Sequence, residues 1–264
     1  MFKHETQVIK FLLQWYSMNA RKLPWRKKNN LNLPHPYFVF VSEYMLQQTT
    51  VNTVKNKFND FILKWPSLNK LSQTSEPNIL KFWSGLGYYS RARNLLRSAK
   101  IIHKNFKNNI PKTYDELIQL PGIGDYTAKA ILGIGYNQSV MPLDANIERI
   151  LVRLHAIDKP INKVKNKLKD LGKKFISDKY SSNLIQSFMD YGSEICLPRN
   201  PKCNICGINK FCQSYKKNLQ QKIPFKQKKK SNKPIKYTRA YVIVNEKNEI
   251  LVRSRPNKGM LASM

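Results

Sequence analysis

All four cysteines of the chain fall inside one short segment, in the spacing Cys196-x6-Cys203-x2-Cys206-x5-Cys212. No cysteine lies elsewhere, so no disulfide can tie distant parts of the fold together. Four thiolates in one loop instead form a complete ligand set, able to hold either a tetrahedral zinc ion or a 4Fe–4S cluster. A tight cluster of this kind points to a metal rather than to disulfides in an intracellular chain, with free thiols as the third reading. Zinc ribbons favour two separated CxxC pairs, and only Cys203 and Cys206 make one. Lys202 and Lys210 sit within the loop and would let it face a phosphate backbone.

The segment around the cysteines belongs to a long helical stretch. From about Glu5 to Leu219 the apolar residues recur at helical spacing. Val51, Val54, Phe58, Phe61, Ile62 and Trp65 make one face, Leu95, Ala99, Ile102 and Phe106 another, and Ile147, Ile150, Leu151 and Leu154 a third. Thr113 with Glu116 has the form of a capping box. Alternating strand patterns are scarce, so residues 1–219 are expected to be all-α. Residues 220–236 form a lysine-rich stretch with Pro224 and Pro234 and read as a basic linker. Beyond it, residues 240–244 and 250–253 are strand-like runs around a polar turn, a hairpin that would be marginal alone. Residues 237–264 are therefore expected to be the start of a second, β-containing domain that is cut short.

The amino-terminal residues contain Glu5 and Gln7 and follow a helical period, unlike a signal peptide. No apolar run is long enough to span a bilayer. The 47 lysines and arginines against 16 acids give a net charge of +31, which suits a polyanionic partner, above all nucleic acid. A lysine- and asparagine-rich composition accounts for part of that excess.

Leu120-Pro-Gly-Ile-Gly-Asp-Tyr-Thr-Ala128 is the second strong motif. Gly122 and Gly124 are expected to permit a tight turn with unusual backbone angles between two helices. The turn and the following helix start, through Thr127, then present N–H groups to a phosphate oxygen without reading sequence. A plain glycine turn is the bland alternative.

A hairpin of this type followed by an x6-x2-x5 cysteine loop resembles the endonuclease III superfamily of helix-hairpin-helix, iron–sulfur DNA glycosylases. Two further strings, Ser42-Glu-Tyr-Met-Leu-Gln-Gln-Thr49 and Gly85-Leu-Gly-Tyr-Tyr-Ser-Arg-Ala-Arg93, with Leu23-Pro-Trp-Arg26, resemble the adenine DNA glycosylases within it. The resemblance covers residues 5–219 and implies a two-part helical core split by a DNA-binding cleft. It implies that Cys196, Cys203, Cys206 and Cys212 hold a 4Fe–4S cluster. Residues 237–264, with Arg253-Ser-Arg-Pro256 and Gly259-Met-Leu261, resemble the opening of the family's α+β, Nudix-like domain. The stretch from Lys27 to Pro36 is longer than the family pattern.

Site roles follow from the same resemblance. Glu43 is the expected general acid. Adenine leaves poorly as an anion and well once protonated at N7, and Glu43 stands in an apolar stretch that would keep its carboxyl protonated. The alternative for a lone glutamate is an exposed helix position. Asp144 is expected to stabilise the cationic sugar. It also precedes a periodic helix and suits an N-cap. Asn146 would help position the acid and a water. Tyr126 stands where strand-cleaving relatives carry a Schiff-base lysine, so the strand is expected to stay intact. Lys129, one turn on, is not its equivalent. Gln48 and Tyr88 match wedge positions that hold open the gap left by a flipped nucleotide, with Gln47 beside them. As a bland alternative, Tyr88 or Tyr89 is a core aromatic. Trp25, Arg26, Leu46 and Gln186 are expected to wall the base pocket.

The expected activity is thus removal of adenine mispaired with 8-oxoguanine or guanine in base excision repair. The expected protein is a monomer in the bacterial cytoplasm, associated with the nucleoid, bound to mismatched duplex DNA and to no membrane. The rivals are an endonuclease III-like glycosylase/lyase acting on damaged pyrimidines and a non-catalytic DNA-binding protein.

Overall fold

The computed structural model describes residues 3–27, 29, 32–225, 237, 239 and 241–253. The contacts divide the chain into two units, residues 1–226 and 227–264.

Among its described residues the first unit takes its regular structure from helices joined by loops. Its helices are α1 (Lys3–Asn19), α2 (Pro36–Leu46), α3 (Val51–Lys64), α4 (Leu68–Ser72), α5 (Glu76–Trp83), α6 (Ser90–Phe106), α7 (Tyr114–Ile118), α8 (Asp125–Ala130), α9 (Ala145–Leu154), α10 (Lys165–Lys173), α11 (Ser181–Glu194) and α12 (Gln213–Lys216). A wide π-turn, Ile131–Gly135, continues α8.

Side-chain caps set many of the helix starts. Thr50, Ser67, Ser75, Thr113 and Asp144 each accept the N–H three residues on. Each such cap contributes about 1 kcal/mol. Half of the expected capping box forms: Glu116 N–H donates to Thr113 Oγ1, while the Glu116 carboxylate accepts the Thr113 hydroxyl at 2.6 Å in place of the Thr113 backbone N–H.

The packing has two halves. Helices α1, α9, α10, α11 and α12 gather around the cysteine loop, while α2 to α8 form the other group; the π-turn packs against both α2 and α11. Helix α2 is apolar nearly all round, as its sequence PYFVFVSEYML requires, and buries Val39, Phe40, Val41, Tyr44 and Met45. Any polar group on it is carried inside. The three expected apolar faces are largely buried, including Phe58, Phe61, Ala99, Ile147 and Leu151.

The helical unit runs past the expected boundary at Leu219. Ile223 is buried, and its carbonyl accepts Arg153 Nε at 2.8 Å. Residues 226–236 and 254–264, and with them most of the basic linker and most of the Nudix-like motif residues, lie outside the described residues.

In the second unit the expected turn forms, with Asn245 N–H donating to Glu249 O at 3.1 Å. The expected paired strands do not. Val244 and Ile250 make a single antiparallel bridge, and the flanking Ile243, Leu251 and Val252 are exposed. Two short runs without a covering layer do not sustain a ladder.

Candidate active site and cysteine loop

A cleft of about 530 Å³ opens between the two halves. Trp25, Arg26, Glu43, Leu46, Gln47, Tyr126, Asp144, Asn146 and Gln186 all line it. The expected acid, sugar-facing carboxylate and pocket walls, drawn from four separate stretches of sequence, thus share one space. A larger depression of about 870 Å³ adjoins it across Arg26 and Gln186 but carries no carboxylate in its wall.

Glu43 comes from the last turns of α2 and is 7% exposed. Burial, and then the negative charge of Asp144, push its carboxyl up to about 8, against a weaker opposing hydrogen bond from Tyr126. Burial also drives the Tyr126 phenol well above its ordinary value, with Glu43 and Asp144 adding to it. Tyr126 is therefore a neutral donor facing acidic groups.

Asp144 caps α9 as expected and also lines the cleft. Its Oδ1 caps α9 by accepting Ile147 N–H at 2.7 Å, and its Oδ2 accepts Asn146 Nδ2 at 2.9 Å. Burial raises its carboxyl, and those donors together with Arg149 restrain the rise. Asn146 lies against α11 where only glycine fits, since a Cβ on Gly192 would stand 2.6 Å from Asn146 Cβ. Its Oδ1 accepts Arg149 Nη2 at 2.7 Å.

Two arginines, Arg149 and Arg21, and one aspartate, Asp190, add to the expected set. Arg149 also donates to Gly192 O at 2.5 Å and to Cys196 O at 2.7 Å, joining the Asp144–Asn146 pair to the cysteine loop. Asp190, fully buried on α11, takes both ends of the Arg26 guanidinium at 2.6 and 2.7 Å and Arg21 Nε at 2.7 Å. Burial alone would raise the Asp190 carboxyl, and the two arginines overcome that and hold it below its ordinary value. The signal for Asp190 was an acid on the buried side of a helix bearing Leu184, Phe188 and Tyr191. Trp25 is fixed edge-on against Phe58.

Three loops form the rim. Gln48 and Tyr88 both occupy left-handed backbone, at φ 57° and 47°, and both point outward; Tyr88 is 61% exposed. Tyr88 is therefore not a core aromatic. Gly122 is left-handed at φ 82°, and a Cβ there would come within 2.9 Å of Asn94. Gly124 differs from expectation. Its backbone is extended (φ −105°, ψ −180°), a conformation open to any residue, and a Cβ would meet nothing within 4 Å. What a side chain there would fill is open space in front of the helix start. Thr127 is buried in the first turn of α8, so its side chain does not face solvent. The hairpin is tied to α2, for Tyr44 Oη donates to Pro121 O at 2.5 Å and Gln47 Nε2 to Gly122 O at 3.2 Å. Lys129 pairs with Asp125 at 2.8 Å and does not line the cleft.

Cys196, Cys203, Cys206 and Cys212 form no disulfide and line one small cavity. Burial and then Cys206, Cys196 and Cys212 push the Cys203 thiol up to about 11. Two buried donors approach the sulfurs: Arg153 Nη1 lies 3.3 Å from Cys196 Sγ, and Tyr191 Oη 3.2 Å from Cys206 Sγ. Arg153 is 2% exposed, and its other bonds go to carbonyl oxygens.

The HhH-GPD superfamily of base excision DNA repair proteins matches residues 41–174. The chain is 42% identical over 252 residues to an adenine DNA glycosylase of Buchnera aphidicola subsp. Baizongia pistaciae, covering 94% of this chain and 70% of that protein. It is 41% identical to that of Buchnera aphidicola subsp. Schizaphis graminum, covering 83% of this chain and 62% of that protein. Against the adenine DNA glycosylase of Rattus norvegicus it is 38% identical over 78% of this chain and 41% of the other. A thermostable thymine-DNA glycosylase superimposes with a TM-score of 0.73 at 25% identity, over 81% of this chain and 98% of that one. An endonuclease III trapped on DNA shares the fold, with a TM-score of 0.66 at 18% identity, over 83% of this chain and 100% of that one.

Proposed function

Since the chain belongs to the adenine DNA glycosylases of the HhH-GPD superfamily of base excision DNA repair proteins, we propose that it hydrolyses the N-glycosidic bond of adenine mispaired with 8-oxoguanine or guanine in duplex DNA and leaves the strand unbroken. The observation that carries this reading is the placement of two carboxyls, Glu43 and Asp144, on one cleft, with Glu43 held protonated at neutral pH by burial. Glu43 is pushed up to about 8, while Asp144 keeps three donor contacts to its charged form.

In this reading the extruded adenine enters between Trp25 and Leu46. Glu43 donates its proton to N7 as the bond from C1′ to N9 breaks, and adenine departs neutral. Asp144, ionised, faces the positive charge left on the sugar. A water adds at C1′ and gives its proton to the Glu43 carboxylate, which returns the acid to its starting state. Tyr126 holds a neutral hydroxyl toward these groups and offers no amine for a Schiff base. Lys129, held by Asp125, offers none in the cleft either. That weighs against the lyase reading, and the paired carboxyls weigh against a purely DNA-binding role.

Gln48 and Tyr88 serve as wedges, and the hairpin at Gly122–Gly124 with the free N–H groups of the α8 start takes a backbone phosphate. The four cysteines suit a 4Fe–4S cluster. They line one cavity and supply the donor set a cluster with one thiolate per iron would use. When bound, a cluster would supply Fe–S bonds that staple residues 196–212. Residues 237–264 are read as the opening of a Nudix-like domain. Among the described residues no helix is long and apolar enough to cross a membrane, and we place the enzyme, as a monomer, with the bacterial nucleoid.

The test is single-turnover excision by Glu43→Gln on duplexes with adenine opposite 8-oxoguanine. Excision should be abolished with binding largely kept. Near-normal excision by this variant would overturn the assignment of the acid.

A further inference from the structure

The two wedge side chains stand on loops distant in sequence. Gln48 follows α2, and Tyr88 lies between α5 and α6. Each is held in left-handed backbone, at φ 57° and 47°, which strains a non-glycine residue and persists only where surroundings enforce it. Both loops must also keep their places when a duplex is pressed against them.

One buried side chain reaches both loops. Arg91, in the first turn of α6, is 5% exposed. Its Nη1 donates to Met45 O at 2.6 Å and Tyr44 O at 3.1 Å, at the end of α2. Its Nη2 donates to Thr49 Oγ1 at 2.9 Å, directly after Gln48, and to Leu86 O at 2.8 Å and Gly87 O at 3.0 Å, directly before Tyr88. Its guanidinium also lies 5.7 Å from the Tyr88 ring centre and 5.5 Å from that of Trp83. No carboxylate among the described residues pairs with it. Its charge is met by carbonyl oxygens, including those at the negative end of α2. A buried cation costs free energy unless its donors are matched; here the end of α2 meets Nη1 and the two wedge loops meet Nη2, while Nε has no partner.

We propose that Arg91 is a positioning residue that clamps the Gln47–Thr49 and Gly85–Tyr88 loops into one unit, so that Gln48 and Tyr88 enter the duplex as a pair. The proposal rests on the reading of those two side chains as wedges. A planar fork is required: lysine keeps the charge but presents a single point with mobile donors and cannot span both loops. The step that depends on the clamp is extrusion of the base, not cleavage of its bond.

The experiment uses the whole protein in a Glu43→Gln background, where binding proceeds without chemistry. The probe is a duplex with 2-aminopurine next to the target adenine, whose fluorescence rises when its neighbour unstacks. Arg91→Lys is expected to reduce the fluorescence rise about threefold or more at saturating protein, read below the variant's own melting transition. Thr49→Val, which removes one acceptor of the clamp, should give a smaller loss of the same kind and decides the matter if Arg91→Lys fails to fold. A full rise in both variants would overturn the clamp. Gln48→Ala combined with Tyr88→Ala forms the separate arm. If that variant keeps the full rise, the wedge reading itself fails. If it loses the rise while Arg91→Lys and Thr49→Val keep it, only the clamp fails.

Discussion

Replacing Glu43 by glutamine should stabilise the protein, and by an amount that depends on pH. In the unfolded chain the carboxyl ionises near its ordinary 4.5, whereas burial and the charge of Asp144 push it up to about 8 in the folded enzyme. Below pH 4.5 both states hold the proton and Glu43 costs nothing. Between the two values only the unfolded chain releases it. The folded state therefore loses about 1.4 kcal/mol per pH unit, reaching about 5 kcal/mol near pH 8 and staying constant above. Glutamine does not titrate, so the variant escapes this loss. For a unit of this size 1 kcal/mol moves the melting temperature by about 2–4 °C. The gain of Glu43→Gln over wild type should grow from about 2 °C at pH 5 to about 10 °C or more at pH 8.5. Melting scans at one fixed rate compare the two proteins fairly even when unfolding is irreversible. A gain that stays flat between pH 5 and 8.5 would refute the raised ionisation of Glu43.

The same carboxyl sets the upper limit of activity. Since the protonated form is the donor, kcat/KM for adenine release should fall as pH rises through about 8, and a pH–rate profile on the free enzyme reads this directly. Asp190→Asn breaks the buried pair with Arg26 and Arg21 and should cost about 3 kcal/mol, visible in denaturant midpoints. Arg149→Met strips the Asn146 amide and the Cys196 carbonyl of their donor. It should slow single-turnover excision about tenfold or more, and it should also lower iron retention, measured by visible absorbance.

Much of the site was legible because it is local. Glu43 stands in a helix with almost no polar face, so burial follows from the string itself. Asp144 stands one residue before a periodic helix, which announces a cap. Tyr126 and Gly122 belong to one short motif. The parts that were not legible join positions far apart in the chain or depend on backbone angles. Asp190 meets Arg26 across 164 residues. Arg91 was one of 47 basic residues, and its use depends on where two loops turn. Gly124 looked like a second special turn residue, yet its backbone is ordinary and only the space before it is unusual. Ile223 extended the helical unit because a buried arginine needed its carbonyl, which no periodicity reveals. Among the described residues the strand-like runs beyond 240 pair only around the Val244–Ile250 bridge, and pattern alone cannot supply a layer to pack against.

The most direct measurement follows the two products of one reaction. A duplex carrying adenine opposite 8-oxoguanine is incubated with excess protein, free base is identified by chromatography, and the strand is analysed with and without alkali and after borohydride. Free adenine should appear in single turnover, with breaks only after alkali and little borohydride-trapped adduct, as Tyr126 in place of an amine requires. Efficient trapping and alkali-independent cleavage, or no adenine released from this duplex, would contradict it.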